Sequence, residues 1–370
     1  MEFWDMGYTP NSRKVLVIPN ITNSANIEKD SFIDVIYNHI IGLSKLGDYY
    51  WHILLPKPVA RLNLLNNVQQ HIVPISGDMI NMRVAFPKEA IRLIRELEYD
   101  VVYSHLPDWF MIARYTDKKI IGYSHWWEMK TCNAEDRKNM ARNFPAEMLG
   151  VLKMDTCFLN TQDQKNRVLN EAKNWFNNDQ LNLLENKLQV WNLGVNKELI
   201  IDTPIKNKEK IIVFNHRAAA YKGYPHFIEL MIEYREKRKD FIVWVPQLDE
   251  HTSINWIDNT KVSKGEYYKK LQSCSVGIQM RQTNYGWSVA ATDCMMNGVP
   301  MIYQESDCYR EINPDGLFFK YKKDLFSMLD MILDDETFRK EHELKSIERA
   351  KVLSANEDQM LDILNKKLRT

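Results

Sequence analysis

One stretch of the sequence decides the fold class: Ile211-Ile-Val-Phe-Asn-His-Arg-Ala-Ala-Ala-Tyr-Lys-Gly223. It opens with a continuous apolar run, which is typical of a strand buried on both faces of a parallel sheet. Two cationic side chains follow, Arg217 and Lys222, and Gly223 then precedes a helix that begins at Tyr224. This order of strand, polar loop and helix predicts a doubly wound α/β unit with its functional residues at the carboxyl end of the strand.

The same alternation extends towards the N-terminus. Lys14–Ile18 is another continuous apolar run, and apolar residues from Asp30 to Leu46 recur at helical spacing. A further strand is predicted at His71–Ile75. The segment 202–209 is polar, contains a proline and lacks an apolar period, so we interpret it as a linker between domains.

Length and composition agree with two domains. The chain has 370 residues, 45% of them hydrophobic and 26% charged, at about 100–200 residues per domain. We expect an N-terminal Rossmann-like domain at 1–203, a C-terminal Rossmann-like domain at 204–345 and a terminal helix at 346–370. Two such domains facing one another form a cleft, which is where these folds bind ligands.

The charge balance points to no particular partner. Lys and Arg together number 49, equal to Asp and Glu, so neither a polybasic nor an acidic segment indicates nucleic acid or membrane. No apolar run of about 18 residues is present, and we expect a cytoplasmic protein without stable membrane insertion. The five cysteines are scattered, which argues against both a disulfide framework and a zinc knuckle.

The cationic pair and a second loop suggest a nucleotide site. Arg217 and Lys222, close to a helix N-terminus, suit a diphosphate, although such residues are also common as solvated loop charges. Asp293 is a single acid in an otherwise apolar helix, so its carboxylate needs a partner, either a sugar diol or an internal Lys or Arg. The glycine-containing loop before that helix comprises four residues that we also place at the site, namely Tyr285, Gly286, Trp287 and Ser288.

Taken in order along the chain, these motifs resemble the retaining nucleotide-sugar glycosyltransferases of the GT-B fold, the glycogen-synthase-like group. The resemblance implies that Arg217 and Lys222 bind the donor diphosphate and take part in catalysis, with Asn215 and Gly223 beside them. It also implies that Asp293 replaces the family's ribose-binding glutamate and that the last helix crosses back onto the first domain. The family's other glutamate, eight residues earlier, is replaced here by Tyr285.

In the first domain two predicted strands end in histidine. His125 lies where the family has a donor-sugar or catalytic histidine, and we expect it to hydrogen-bond the sugar; His105 is either an acceptor contact or a satisfied core residue. Adjacent Trp126 and Trp127 cannot both face one core, so at least one is expected at the rim as a stacking platform. Further acceptor contacts are predicted at the polar loop that contains Asn23 and Ser24.

The resemblance implies a retaining glycosyltransferase that uses a nucleoside-diphosphate sugar, and we expect UDP as the nucleotide. Asn215-His-Arg217 is similar to the tRNA-queuosine mannosyltransferases, and Cys308-Tyr-Arg-Glu311 to a segment of the same enzymes. We therefore expect a hydroxymethylated pyrimidine in phage DNA as acceptor, in the host cytoplasm. A surface polysaccharide or lipid-linked glycan is the alternative acceptor, and a non-catalytic sugar-nucleotide sensor the alternative class. No cofactor is expected, and no metal, because no Asp-x-Asp element follows a strand.

Overall fold

The computed structural model describes residues 11–20, 27, 31–73, 88–105, 112–125, 127, 143–205, 209–248, 254–281 and 286–370. Within these ranges the chain forms two parallel β-sheets, each flanked by helices. The α/β class with two doubly wound units is thereby confirmed. We call strands β1–β7 and their helices the first unit, and strands β8–β13 and theirs the second unit, with the bounds given below.

The first unit contains seven described strands. They are β1 (Arg13–Ile18), β2 (Tyr49–Leu55), β3 (Val68–Ile72), β4 (Val101–Ser104), β5 (Lys119–Ser124), β6 (Thr156–Leu159) and β7 (Leu188–Val190). Their helices are α1 (Ser31–Leu46), α2 (Lys88–Glu96), α3 (Phe144–Lys153), α4 (Gln162–Ala172) and α5 (Asn178–Lys187). The strand order is β3-β2-β1-β4-β5-β6-β7. All neighbouring pairs are parallel, so the carboxyl ends of these strands share one edge.

The apolar run in β1 is continuous because helices cover both faces of this sheet. Val15 and Val17 pack in the cluster that contains residues of α1, whereas Leu16 and Ile18 pack with α2. The expected strand at His71–Ile75 is wrong in its bounds, since β3 pairs with β2 from Val68 to Ile72. Local apolarity placed that strand three residues too late, because the register with β2 determines where it lies.

The second unit contains six described strands. They are β8 (Glu209–Val213), β9 (Ile242–Trp244), β10 (Ile257–Asp258), β11 (Cys274–Gln279), β12 (Met301–Gln304) and β13 (Leu317–Phe319). Their helices are α6 (Tyr224–Lys237), α7 (Lys264–Ser273), α8 (Val289–Met296), α9 (Asp307–Ile312) and α10 (Lys322–Asp334). The order is β10-β9-β8-β11-β12-β13, again with parallel pairing throughout.

The last helix, α11 (Glu336–Arg369), contacts both units. It begins directly after the Asp335 side chain, which caps its first turn, so position 346 lies inside a continuous helix. Its C-terminal part reaches the first sheet: Arg13 Nε donates to Leu368 O at 3.0 Å, and Lys367 Nζ donates to Thr156 Oγ1 at 2.9 Å. In the described ranges, no helix is both long and apolar enough to cross a lipid bilayer.

Candidate functional site

The candidate site lies where β8 and β11 end. These strands are parallel neighbours, with Val213 opposite Gly277, so the loops that follow them leave the sheet at the same edge. After β8, Asn215 and His216 are buried whereas Arg217 is exposed. The backbone turns there, because Ala219 N donates to Arg217 O at 2.8 Å. The Arg217 side chain is therefore accessible at the carboxyl edge of the sheet.

Lys222 lies a few residues further on, at the start of α6. The turn Ala220–Lys222 ends at Gly223, whose φ is 76°, and a Cβ at that position would lie 2.5 Å from Met280 Cβ. Glycine therefore allows the N-terminus of α6 to pack directly against the end of β11. Burial and, after it, the positive charge of Arg217 lower the pKa of Lys222 to about 8. An anion bound beside the helix N-terminus would offset the repulsion between these two cations, so the arrangement suits an anion.

A buried polar cluster supports this loop. Ser288 caps α8, where its Oγ accepts from Ala291 N at 3.1 Å and donates to Gln279 Oε1 at 2.9 Å. His216 Nε2 donates to the same Gln279 oxygen. Burial lowers the pKa of His216 to about 3, so the imidazole is neutral. Ser288 is 1% exposed and its hydroxyl is used within the protein, so its place at the donor site, which stays a prediction, rests on the backbone N–H groups of the loop.

Asp293 belongs to a hydrogen-bonded chain on the other side of α8. Its Oδ2 accepts from Tyr267 Oη at 3.1 Å, and Tyr267 Oη accepts from Asn215 Nδ2 at 2.8 Å. Asn215 also donates to Ala290 O at 2.7 Å. No Lys or Arg of the described residues forms an ion pair with the carboxylate; burial raises its pKa to about 7, although the hydrogen bond of Tyr267 and the more distant charge of Lys264 lower it. Asn215, predicted to bind the donor, instead has its side-chain amide engaged inside the protein.

The loop before α8 is described only in part. Gly286 O accepts from Cys308 Sγ at 3.6 Å, which ties the loop to α9. Trp287 is 8% exposed, and its indole Nε1 has no hydrogen-bond partner in the described part of the chain. Tyr285 lies outside the described residues.

In the first unit, the histidines that follow β4 and β5 contact each other. His105 Nδ1 lies 3.0 Å from His125 Nε2, and the two rings stack with centroids 5.3 Å apart. Burial lowers the pKa of His125 to about 3 and that of His105 well below its usual value, so both imidazoles are neutral. His105 is 0% exposed, which corrects its assignment as an acceptor contact: it lies against His125 inside the protein.

A carboxylate from α11 contacts His39, whose ring centroid lies 6.3 Å from that of His105. Glu357 Oε2 accepts from Trp191 Nε1 at 2.8 Å and from Gly194 N at 3.0 Å, and its Oε1 lies 3.2 Å from His39 Nε2. The His39 ring in turn stacks on Trp191, with centroids 4.6 Å apart. Sequence reasoning missed Glu357. A signal was available, since this acid occupies the apolar stripe of α11 four residues before Leu361.

Of the predicted acceptor residues, only Trp127 and His105 lie within the described ranges. Trp127 is 1% exposed and packs in the core between the first sheet and α3, so its assignment as a rim platform is wrong. A large indole next to a helix and a sheet contributes most by being buried. Asn23, Ser24 and Trp126 lie outside the described residues.

Two polar contacts connect the units near the site. Lys264 Nζ, at the start of α7, lies 3.1 Å from Asp34 Oδ1 in α1. The Glu311 carboxylate, from α9, accepts from Gln162 N and Asp163 N, both at 2.6 Å, and so caps α4 of the first unit. The next residue of α4, Gln164, donates to the backbone oxygen of His125 at 3.4 Å. The Cys308–Glu311 segment therefore contacts the helix that supports the candidate catalytic histidine.

No group of three or more His, Cys, Asp or Glu side chains that could hold a metal ion occurs in the described ranges. The cationic side chains at the β8 exit are suited to an anion without a metal bridge. Independence from metal remains a prediction.

Comparison of the whole fold with solved structures gives extensive matches at low sequence identity. Sucrose-phosphate synthase from Thermosynechococcus elongatus aligns with a TM-score of 0.74 at 11% identity, covering 96% of this chain and 99% of that chain. HepE from Anabaena in complex with UDP and glucose aligns at 0.66 and 10% identity, covering 96% and 98%.

An Escherichia coli trehalose-6-phosphate protein bound with UDP-2-fluoro glucose aligns with a TM-score of 0.68 at 12% identity, covering 97% of this chain and 99% of that chain. No family model and no curated protein sequence matches the chain. At these identities the likeness establishes the fold, which is GT-B, as the sequence predicts.

Proposed function

We propose that this chain is a retaining glycosyltransferase that moves a sugar from a nucleoside-diphosphate sugar to a hydroxyl group. The fold supports this proposal, since two of the similar structures contain UDP or a UDP sugar. UDP is accordingly the nucleotide we assign to the donor.

The observation that carries the proposal is the cationic pair beside the N-terminus of α6. Departure of a nucleoside diphosphate builds negative charge on the leaving phosphate oxygen. Arg217 can grip phosphate oxygens through two N–H groups, while Lys222 adds a compact charge. Lys222 is partly desolvated and lies near the charge of Arg217, which together lower its pKa, and desolvation strengthens the attraction of its ammonium for a phosphate.

The other residues have positioning and binding roles in this proposal. Asp293 would accept hydrogen bonds from the ribose diol. The neutral ring of His125 would hydrogen-bond the sugar near its anomeric carbon. No protein nucleophile is assigned: the acceptor oxygen attacks from the face that the diphosphate leaves, and a leaving phosphate oxygen takes the acceptor proton. Bond formation and cleavage on the same face retain the anomeric configuration.

For the acceptor we retain the hydroxymethylated pyrimidine of DNA as the first candidate. The Asn215-His-Arg217 likeness supports it, whereas the burial of Trp127 removes one of the two stacking faces on which it relied. Surface or lipid-linked glycans are the alternative. Sugar phosphates are also tested as acceptors, because two of the similar structures bear sugar-phosphate names.

The proposal is tested by incubating the protein with UDP- and GDP-sugars and each acceptor class, followed by mass analysis of products and NMR of the new anomeric centre. Sugar transfer with retained configuration supports it. If the protein binds the nucleotide but neither transfers the sugar nor hydrolyses the donor, the result would favour the non-catalytic sensor. If sugar transfers but never to hydroxymethylated DNA, only the DNA assignment is wrong.

Variants test the phosphate site directly. Arg217→Ala and Lys222→Ala should each lower kcat/KM by about 30- to 900-fold, equivalent to about 2–4 kcal/mol of lost transition-state stabilisation. Lys239→Ala is the matched control, since this exposed lysine follows the opposite end of α6. If all three variants fold and keep the kinetics of the wild type, the diphosphate assignment is ruled out.

A further inference from the structure

We propose that Tyr267 is a positioning residue that holds the carboxylate of Asp293 in place to bind the ribose hydroxyls of the donor. The inference rests on the proposed function, because it concerns the same nucleotide site. Tyr267 lies on α7, outside both loops that the sequence analysis singled out. Its hydroxyl is the hydrogen-bond partner of the Asp293 side chain within the described residues.

The direction of each hydrogen bond in this chain follows from the chemistry of the groups. Asn215 Nδ2 can only donate, and its two hydrogens go to Tyr267 Oη at 2.8 Å and Ala290 O at 2.7 Å. Gln279 Nε2, at 3.5 Å from Asn215 Oδ1, is consistent with this orientation of the amide. The Tyr267 oxygen thus accepts from Asn215, and its single proton points to Asp293.

The phenol remains a donor at working pH. Burial raises the pKa of Tyr267 well above its usual value, and the negative charge of Asp293 raises it further. The ring is also fixed, with centroids 5.8 Å from Trp244 and 5.4 Å from Tyr268. Tyr267 therefore offers Asp293 a rigid hydrogen bond from a neighbouring helix.

This bond constrains how the carboxylate meets a ligand. Tyr267 engages Oδ2, while Oδ1 makes no hydrogen bond to the described residues. Each carboxylate oxygen has two acceptor sites, so both oxygens keep capacity for the two hydroxyls of a ribose. The side chain of aspartate is one methylene shorter than that of the glutamate it replaces in the resembling enzymes. A fixed carboxylate orientation therefore contributes more to ribose binding at this site, because the shorter side chain has fewer rotatable bonds with which to reach the hydroxyls.

The test compares the binding of UDP and dUDP by calorimetry. Wild type should prefer UDP by about 10- to 100-fold, the value of one hydrogen bond to a charged group. Tyr267→Phe removes only the hydroxyl and should reduce this preference by at least about fivefold, mainly by weakening UDP binding. Tyr268→Phe is the control, since its hydroxyl has no hydrogen bond to a described residue, and should keep the wild-type preference.

Asp293→Asn distinguishes the positioning role of Tyr267 from the ribose assignment of Asp293. If this variant loses the preference for UDP while Tyr267→Phe keeps it, the positioning role is refuted and the ribose assignment stands. Equal weakening of UDP and dUDP in Tyr267→Phe would indicate a merely structural role and would also refute the inference. If Asp293→Asn keeps the full preference, the ribose assignment fails and the positioning role fails with it.

Discussion

The depressed pKa of Lys222 makes a specific prediction about the pH dependence of nucleotide binding. Burial and the charge of Arg217 place this pKa at about 8, below the usual value of 10.5. Cys308 also lies near Lys222, but burial raises the pKa of its thiol to about 12, so the thiol is neutral. Lys222 should therefore lose its proton between pH 7 and 10 while Arg217 remains charged.

The magnitude follows from the fraction of protonated lysine. At pH 7 about nine-tenths of free protein carries the charge, and at pH 9 about one-tenth does. If only the protonated form binds the diphosphate well, the association constant for UDP should fall about tenfold per pH unit above pH 8. The fall should level off at the affinity of Lys222→Met. The affinity for UDP should fall with rising pH, because the cation that binds the phosphate exists below the pKa and is lost above it.

The assay is calorimetric titration of UDP at half-unit steps from pH 7 to 10 for wild type, Lys222→Met and Lys222→Arg. Lys222→Met should bind weakly with an almost flat profile. Lys222→Arg keeps its charge across this range and should also lack the alkaline fall. A fall of equal midpoint and depth in all three proteins would refute the reasoning, because the titrating group would then lie elsewhere.

Three further predictions concern single side chains. Gly223→Ala should lower the free energy of unfolding by about 2–4 kcal/mol, through left-handed strain and a clash with Met280 directly after β11. Gly265→Ala, in an open helical position, should not destabilise the protein, and urea denaturation compares the two variants. Glu357→Ala leaves two buried donors unpaired and should cost about 3–5 kcal/mol, against less than about 1 kcal/mol for the surface variant Glu348→Ala; equal values would contradict the anchoring role. The preference for UDP over dUDP should decline below pH 7, where Asp293 with its pKa of about 7 becomes protonated, and a flat ratio in wild type would contradict this.

The sequence by itself determined the architecture and indicated the segment where we propose the phosphate site. Continuous apolar runs such as Val15–Ile18 identify strands covered on both faces, and their alternation with helices leaves few topologies. Arg217, Lys222 and Gly223 could be chosen because strand exit, charge and glycine are local signals along one segment. Strand bounds were less certain where pairing with a neighbouring strand decides them, as at β3.

Only the tertiary structure decided which polar side chains face a ligand and which support others. In the sequence, a polar residue at the end of a strand or helix looks the same whether it binds a ligand or another part of the protein. Three such residues bind within the protein: Asn215 to Tyr267, His105 to His125, and Ser288 to an α8 backbone amide. These partners come from elements distant in sequence. The physical reason is that a buried polar group must find a hydrogen-bond partner wherever the packing places one, and no local pattern records which element that will be.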